Sequence, residues 1–419
     1  MNRSILLLFF TLFIVMVGFG IIIPIMPFYV ESMGATSLHL GLLMSSFSLV
    51  QFIFAPFWGN LSDRIGRRPL ILIGLAGYII SYLLMSVATT IWMLFAARIL
   101  GGILSSATLP TAQAYVADST TEKERGGGMG MLGAAMGLGM VFGPAIGGML
   151  SSFGLAAPFY FAAGLGTVNL VLMIFFLPES PRTASSPSGR PALSRFALLR
   201  QAVSGPLAFF FVLSFLVSFA VSNLESTFSL YGQARLGFTS RDMGVVFTFM
   251  GITSAVVQGA LIGRAIERFG EERLIQFGLL ATAAGFLLIL LAYDMVSMTV
   301  FVSVQSLGGA FLRPAVSTLI SKRTDRGQGA TLGVQTSFDS LGRIVGPAWG
   351  GWVFQSHIAF PYLTGAAVFV LVFVASLWNL AKHPQPLVIS PQVAYNGSQS
   401  SGPLAADVSA PSGGPRGGD

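Results

Sequence analysis

Apolar residues run along this chain in blocks of about twenty, broken by short polar or basic stretches. The first block covers 5–28, and others follow at 40–58, 70–89, 91–117, 127–151, 156–177, 207–231, 243–263, 274–293, 295–319, 329–354 and 358–381. A run of about 20 apolar residues crosses a hydrocarbon core about 30 Å thick. No water is available there to satisfy the backbone, so each run must be a helix. The pattern predicts twelve transmembrane helices and an all-α membrane protein. The first block is basic and then apolar, like a signal peptide, but it is too long, lacks a small-residue cleavage site and is followed by many more spans. It is read as a retained first helix.

The blocks repeat. Gly130, Gly139, Gly143, Pro144, Gly147 and Gly148 recur as Gly333, Gly342, Gly346, Pro347, Gly350 and Gly351, all at an offset of 203. The stretch "GNLSDRIGRRPLILIG" recurs at an offset of 204, with Gly59, Asp63, Arg64, Gly66 and Leu70 matching Gly263, Glu267, Arg268, Gly270 and Leu274. The sequence therefore divides into a six-helix bundle over 1–177, a Pro/Ser/Arg-rich linker over 178–206, a second six-helix bundle over 207–381 and a tail over 382–419. The tail has too few large apolar residues to fold. Two pseudo-symmetric halves imply a solute path between them. The stripe Gly139, Gly143 and Gly147, with its copy Gly342, Gly346 and Gly350, is expected to make close contact with a helix of the opposite half. Small residues let helix backbones approach in a membrane.

Composition agrees with this reading. The 419 residues are 53% hydrophobic and only 9% charged, against about a quarter charged in soluble chains. Soluble enzymes are excluded on that ground, and the lack of cysteine excludes disulfide and thiol chemistry. The three histidines are scattered, so no metal site is expected. The net charge of +7 does not point to nucleic acid, because the basic residues fall in alternate loops. With the N-terminus cytoplasmic, Arg235 and Arg241 are the only loop cations on the outer side, which places both termini in the cytoplasm.

Charges inside spans are costly and point to function. Two acids fall there, Glu225 and Asp339. A desolvated carboxylate at 225 can exchange a proton near neutral pH; the plainer alternative is a structural hydrogen bond to Asn223. Asp339 and Arg343 share a helix face at i, i+4, either as a self-neutralised pair or as a protonation switch. Arg98 keeps its charge and must face a polar cavity or a carboxyl partner. Arg313 can snorkel toward the inner surface. The 36 phenylalanines and 17 methionines suit a pocket that repacks around varied apolar ligands. Gln51, Gln113, Tyr115, Asn169, Asn223, Tyr231, Gln258, Gln305, Gln335 and Arg313 are its candidate polar lining. Nothing resembles a nucleotide-binding loop.

The loop "GNLSDRIGRRP" (59–69), "RILGG" (98–102) and "GMLGAAMGLGMVFGPAIGG" (130–148) together resemble signatures of the major facilitator superfamily. The third resembles the fifth-helix motif of its drug/proton antiporter branch. The likeness spans all twelve helices and is strongest to Gram-positive multidrug exporters of the NorA and Bmr kind. "SFAVSNLESTFSLY" (218–231) resembles their seventh-helix segment with a functional glutamate. The resemblance implies a proton-coupled exporter of hydrophobic, often cationic compounds in the bacterial cytoplasmic membrane. It would work as a monomer by alternating access, with the proton gradient as its energy source and no cofactor. It also implies proton-coupling roles for Glu225, Asp339, Arg98 and Arg343. The loop Gly59, Asp63, Arg64, Gly66, Arg67 and Arg68 would latch the halves on the cytoplasmic side, and its arginines also fix topology. The chain departs from the relatives at Ala310, where they carry an acid three residues before the arginine matching Arg313. A narrow-specificity exporter of one metabolite, sugar, lipid or tetracycline-like antibiotic is the alternative, and a non-transporting sensor a third.

Overall fold

A computed structural model describes residues 3–180, 207–324 and 328–382. Linker residues 181–206 and the tail from 383 onward lie outside the described residues. The helices are α1 Arg3–Ser32, α2 Ser37–Ile65, α3 Arg67–Ser86, α4 Ile91–Ser105, α5 Thr108–Ser119, α6 Glu122–Leu150, α7 Ala157–Phe176, α8 Ala208–Leu236, α9 Ser240–Val256, α10 Ile262–Phe269, α11 Glu271–Ile289, α12 Met295–Arg323, α13 Gln328–Ser356 and α14 Phe360–Lys382. Helices α4 and α5 make up one predicted span, and α9 and α10 another. Among the described residues, eleven spans are long and apolar enough to cross a membrane. Helix α13 is as long, but its serines, glutamines, Asp339 and Arg343 make it more polar.

Two spans are interrupted for identifiable reasons. Pro110 has no N–H to offer the carbonyl of Ser106 and crowds it, so the helix breaks between α4 and α5. The freed carbonyl of Ile103 accepts instead from the Trp58 indole at 2.5 Å and from Ser106 Oγ at 2.8 Å. Between α9 and α10, residues Val257–Leu261 form one wide π turn around Gly259, the kind of bulge that recurs at working sites.

Successive spans alternate in direction. The ion pairs Arg67–Asp63, Arg67–Asp118, Lys322–Glu271 and Arg323–Glu272 all lie at one end of the helices, here termed the basic end. The turns at 33–36, 151–156, 237–239 and 357–359 lie at the other, the far end.

The glycine stripes do not sit where the repeat suggested. A side chain begun at Gly139, Gly143 or Gly147 would strike Met16, Val17, Gly20 or Ile21 of α1, and one at Gly342, Gly346 or Gly350 would strike Phe215, Phe219 or Asn223 of α8. Each stripe therefore seats a helix of its own repeat, which corrects the expected contact across the halves. The reason is geometric. A stripe with a spacing of four covers one narrow face, and that face is filled by the nearest helix in the same repeat. The cross-repeat contact falls to the next glycine, on the adjoining face. Gly148 meets Gly244 and the Ser240 and Arg241 carbonyls of α9, while Gly351 meets Ser37 and Gly41 of α2. Both contacts lie at the far end. They are joined by hydrogen bonds from Ser37 Oγ to the Gly351 carbonyl (2.9 Å), from Gln355 Nε2 to Thr36 Oγ1 (2.9 Å) and from Ser240 Oγ to Ser151 Oγ (2.8 Å). Toward the basic end, among the described residues, no atom beyond its own helix lies within 4 Å of where a side chain would start at Gly130, Gly133, Gly137, Gly259, Gly263 or Gly333. The described helices thus close on one another at the far end and part toward the basic end.

Candidate functional site

Above the parted end lies a central cavity in two lobes of about 880 and 670 Å³, which share Met136, Met140, Glu225 and Arg313. Each lobe is of the size that takes a drug-like molecule. Lobe one is bordered by α1, α6, α8, α9 and α12, including Gln258 on the π turn and Gln305; lobe two by α1–α6, α8, α12 and α13, including Phe47, Gln51, Arg98, Gln113 and Arg343. Lobe one is walled mainly by glycine, methionine and other apolar side chains, whereas lobe two is lined largely by hydroxyl, amide and charged groups, with phenylalanine and methionine between them.

Glu225 stands where the lobes meet, within electrostatic reach of Arg313 on α12 and Arg343 on α13. Asn223 is not its partner. The Asn223 amide is buried and donates to the Pro361 carbonyl at 2.7 Å, tying α8 to α14. Among the described residues, none of Glu225, Asp339, Arg98, Arg313 and Arg343 has an ion-pair partner within 4 Å. The i, i+4 pair expected between Asp339 and Arg343 is therefore not formed. The seating of α13 on α8 through Gly342 brings Ser218 up to Asp339, whose carboxylate accepts its hydroxyl at 2.9 Å. Arg343, one turn on, borders lobe two instead.

The sequence-derived lining divides. Gln51, Gln113, Gln305 and Arg313 border the cavity. Tyr115, Asn223 and Tyr231 do not. Tyr115 is buried and donates to the Pro178 carbonyl at 2.9 Å, and Tyr231 packs its ring 4.6 Å from that of Tyr362. Aromatic hydroxyls and amides inside a span read as pocket residues by polarity alone, yet all three are used to fasten helices together. Gln258 borders lobe one, while Asn169 donates to Thr11 Oγ1 and Gln335 to Ser317 Oγ, away from both lobes; Met136 and Met140 are cavity residues that the signature motifs do not single out.

The loop between α2 and α3 is tightly organised. Gly59 lies within α2 and not in the reversal; the turn is made by Gly66, whose φ of 108° is open to glycine and strained for other residues. Arg67 donates to Asp63 (2.5 Å), Asp118 (2.9 Å) and Ser62 Oγ (2.6 Å), gathering the ends of α2, α3 and α5. Asp63 is in the last turn of α2. The acid at the α3 N-terminus is Glu179, which accepts the backbone N–H groups of Arg67 at 2.7 Å and Arg68 at 3.1 Å, a favourable place for a negative charge.

A chain of membrane-spanning helices around a charged cavity, sealed at one end and parted toward the other, has the architecture of a solute carrier. The chain belongs to the Major Facilitator Superfamily, which it matches over residues 8–264 and 236–405. It is 32% identical over 391 residues to multidrug resistance protein 2 of Bacillus subtilis, covering 90% of this chain and 96% of the relative. It is 29% identical over 364 residues to the quinolone resistance protein NorA of Staphylococcus aureus, covering 86% and 92%. In fold it resembles the crystal structure of the nucleoside transporter NupG, with a TM-score of 0.75 at 15% identity over 90% of this chain and 99% of that one. The resemblance inferred from the motifs is thus met by whole-chain similarity.

Proposed function

We propose that this protein is a proton-coupled multidrug exporter of the bacterial cytoplasmic membrane, moving amphiphilic compounds outward by alternating access between two six-helix halves. The observation that carries the reading is Glu225 at the junction of both lobes, the one carboxylate among their bordering residues. A carboxylate in such a cavity can hold either a proton or the basic centre of a ligand, and competition between the two couples one flux to the other. Arg313 and Arg343 lie within electrostatic reach of Glu225. Asp339, engaged by Ser218, acts at one remove by fixing α13 against α8.

The loop arginines at 64, 67 and 68 favour a cytoplasmic basic end, which makes the described arrangement inward-facing, with both termini in the cytoplasm. The Gly66–Arg67–Glu179–Asp118 cluster then forms one side of a cytoplasmic latch. The implied partners are protons, lipid and lipophilic solutes, handled by a monomer without a cofactor. The test is ethidium efflux from energised inverted vesicles, with wild type beside Glu225→Gln and with or without a protonophore. Protonophore-sensitive efflux that falls at least tenfold in Glu225→Gln is expected; unchanged efflux in the variant sinks the coupling role. A wild type that moves a single compound out of a broad dye panel would favour the narrow-specificity alternative.

A further inference from the structure

The two repeats balance their charges differently at the basic end. In the second, α11 opens with Glu271 and Glu272, which pair with Lys322 and Arg323 of α12. The positions that match them in the first repeat, at the offset of 204, are Arg67 and Arg68. Arg67 is answered by Asp63 and Asp118. Arg68 is not: among the described residues, no carboxylate lies within 4 Å of its guanidinium. Its Nη2 donates to the Ile174 carbonyl in the last turn of α7, and its Nε is buried without an acceptor. Glu179 is engaged by the backbone N–H groups of Arg67 and Arg68.

A second cation comes to the same turn. Arg3, exposed at the start of α1, holds its guanidinium carbon 4.7 Å from the centroid of the Phe176 ring. It too has no carboxylate within 4 Å among the described residues. Two arginines therefore meet the end of α7 with neither charge neutralised by a carboxylate. Leading up to that end, α7 exposes Val168, Val171, Leu172 and Phe175, the last at 76%. Their i, i+3, i+4, i+7 spacing puts them on one face, an apolar strip about 10 Å long at about 1.5 Å per residue. Hydrocarbon alone would suit the strip and leave the arginines unanswered. A molecule with an anionic head and an acyl tail suits both.

We propose that the α1–α3–α7 corner at the basic end binds an anionic phospholipid. Arg3 and Arg68 hold its phosphodiester, and an acyl chain lies along the α7 strip. A guanidinium presents five N–H donors in a fork that matches a phosphate, and Arg68 has donors to spare. Phosphatidylcholine offers the same phosphate but brings an ammonium up to two arginines, so the site sorts lipids by net charge. Such a site needs a membrane around it and no transport cycle, so it stands or falls apart from the exporter reading.

The test is native mass spectrometry of the purified full-length protein, titrated with phosphatidylglycerol or with phosphatidylcholine of the same chains. Wild type is expected to bind its first phosphatidylglycerol about tenfold more tightly than phosphatidylcholine, the scale of one charge-assisted guanidinium–phosphate contact. In the double variant Arg3→Gln, Arg68→Gln that preference should fall to about twofold or less. The double variant Arg264→Gln, Arg268→Gln removes two exposed cations of α10 and should keep it. A wild-type preference below about threefold overturns the proposal, as does a preference that survives the first double variant or is lost equally in the second. Arg3→Gln alone changes an exposed helix start and should lose about threefold. It keeps the site testable if Arg68→Gln disturbs the α2–α3 turn, and an unchanged preference there also overturns the proposal. Excess glycerol 1-phosphate should leave the lipid bound; displacement by it would assign the arginines to a free phosphate and overturn the lipid site.

Discussion

One added methyl group at Gly148 is expected to open the far end of the molecule without unfolding it. A Cβ built there lies 2.8 Å from Gly244 Cα and 3.2 Å from the Ser240 and Arg241 carbonyl oxygens. Carbon atoms rest comfortably at about 3.5–4.0 Å, and every atom in the way is backbone, so α9 itself must retreat by roughly 0.7 Å or more. Overpacking of this kind costs about 1–3 kcal/mol. Because α6 and α9 touch here across the two repeats at the far end, the cost falls on the sealed arrangement alone. At 1.4 kcal/mol per factor of ten, the sealed population drops about 5- to 150-fold relative to one open at that end. The chain has no cysteine, so Ser240→Cys supplies a single thiol on a seam where residue 240 is 9% exposed. A membrane-impermeant maleimide should label it faster when Gly148→Ala is added, at nearly unchanged Tm. Gly143→Ala is the contrast. Its Cβ meets Val17 O at 2.6 Å and Gly20 Cα at 2.7 Å, both in α1, so Tm should fall with no faster labelling. Equal labelling rates with and without Gly148→Ala would refute the reasoning, and so would faster labelling in Gly143→Ala at constant Tm.

Two further outcomes follow from contacts described above. Ser151 Oγ and Ser240 Oγ are 2.8 Å apart, so the double variant Ser151→Cys, Ser240→Cys should cross-link on oxidation, stop efflux and recover it on reduction; full efflux by the oxidised protein argues against movement at this seam. Glu179→Gln removes the charged acceptor of the Arg67 and Arg68 N–H groups and should cost roughly 1 kcal/mol, the scale of a lost helix-terminal acid. Thermal melts check it, and Gly66→Ala should cost more, since it adds strain at φ 108° and crowds the Glu179 carboxylate.

The sequence was most informative where one physical requirement dominates. Helix length against bilayer thickness made the helices legible, eleven of them apolar enough to span and α13 as long but more polar, and glycines such as Gly143 and Gly148 pointed to places where backbones meet. The identity of the neighbour was not legible, because a glycine stripe records closeness and not which helix approaches. Gly143 against Gly20 and Gly148 against Gly244 look alike in sequence and lie on opposite sides of α6. Polar residues within spans were ambiguous for a related reason. Asn223 and Gln305 are both buried within spans, yet one ties down Pro361 while the other borders the cavity. Asp339 and Arg343 satisfied the spacing rule for a pair, but the rule knows only their own helix, and Ser218 comes from another. The π turn that carries Gln258 had no signal beyond a single glycine.

The far-end seal is made of main-chain atoms, glycine and short polar side chains, whereas the cavity adds methionines, phenylalanines, glutamines and arginines to glycines and hydroxyls of its own. Changes of cargo and changes of closure thus fall on separate sets of residues. Selection by a new drug can exchange wall residues such as Met136, Met140 or Gln258 while the barrier that keeps the cell from leaking stays as it was. A pump divided in this way can widen its range under antibiotic pressure through single substitutions, with little need for compensating changes at the gate.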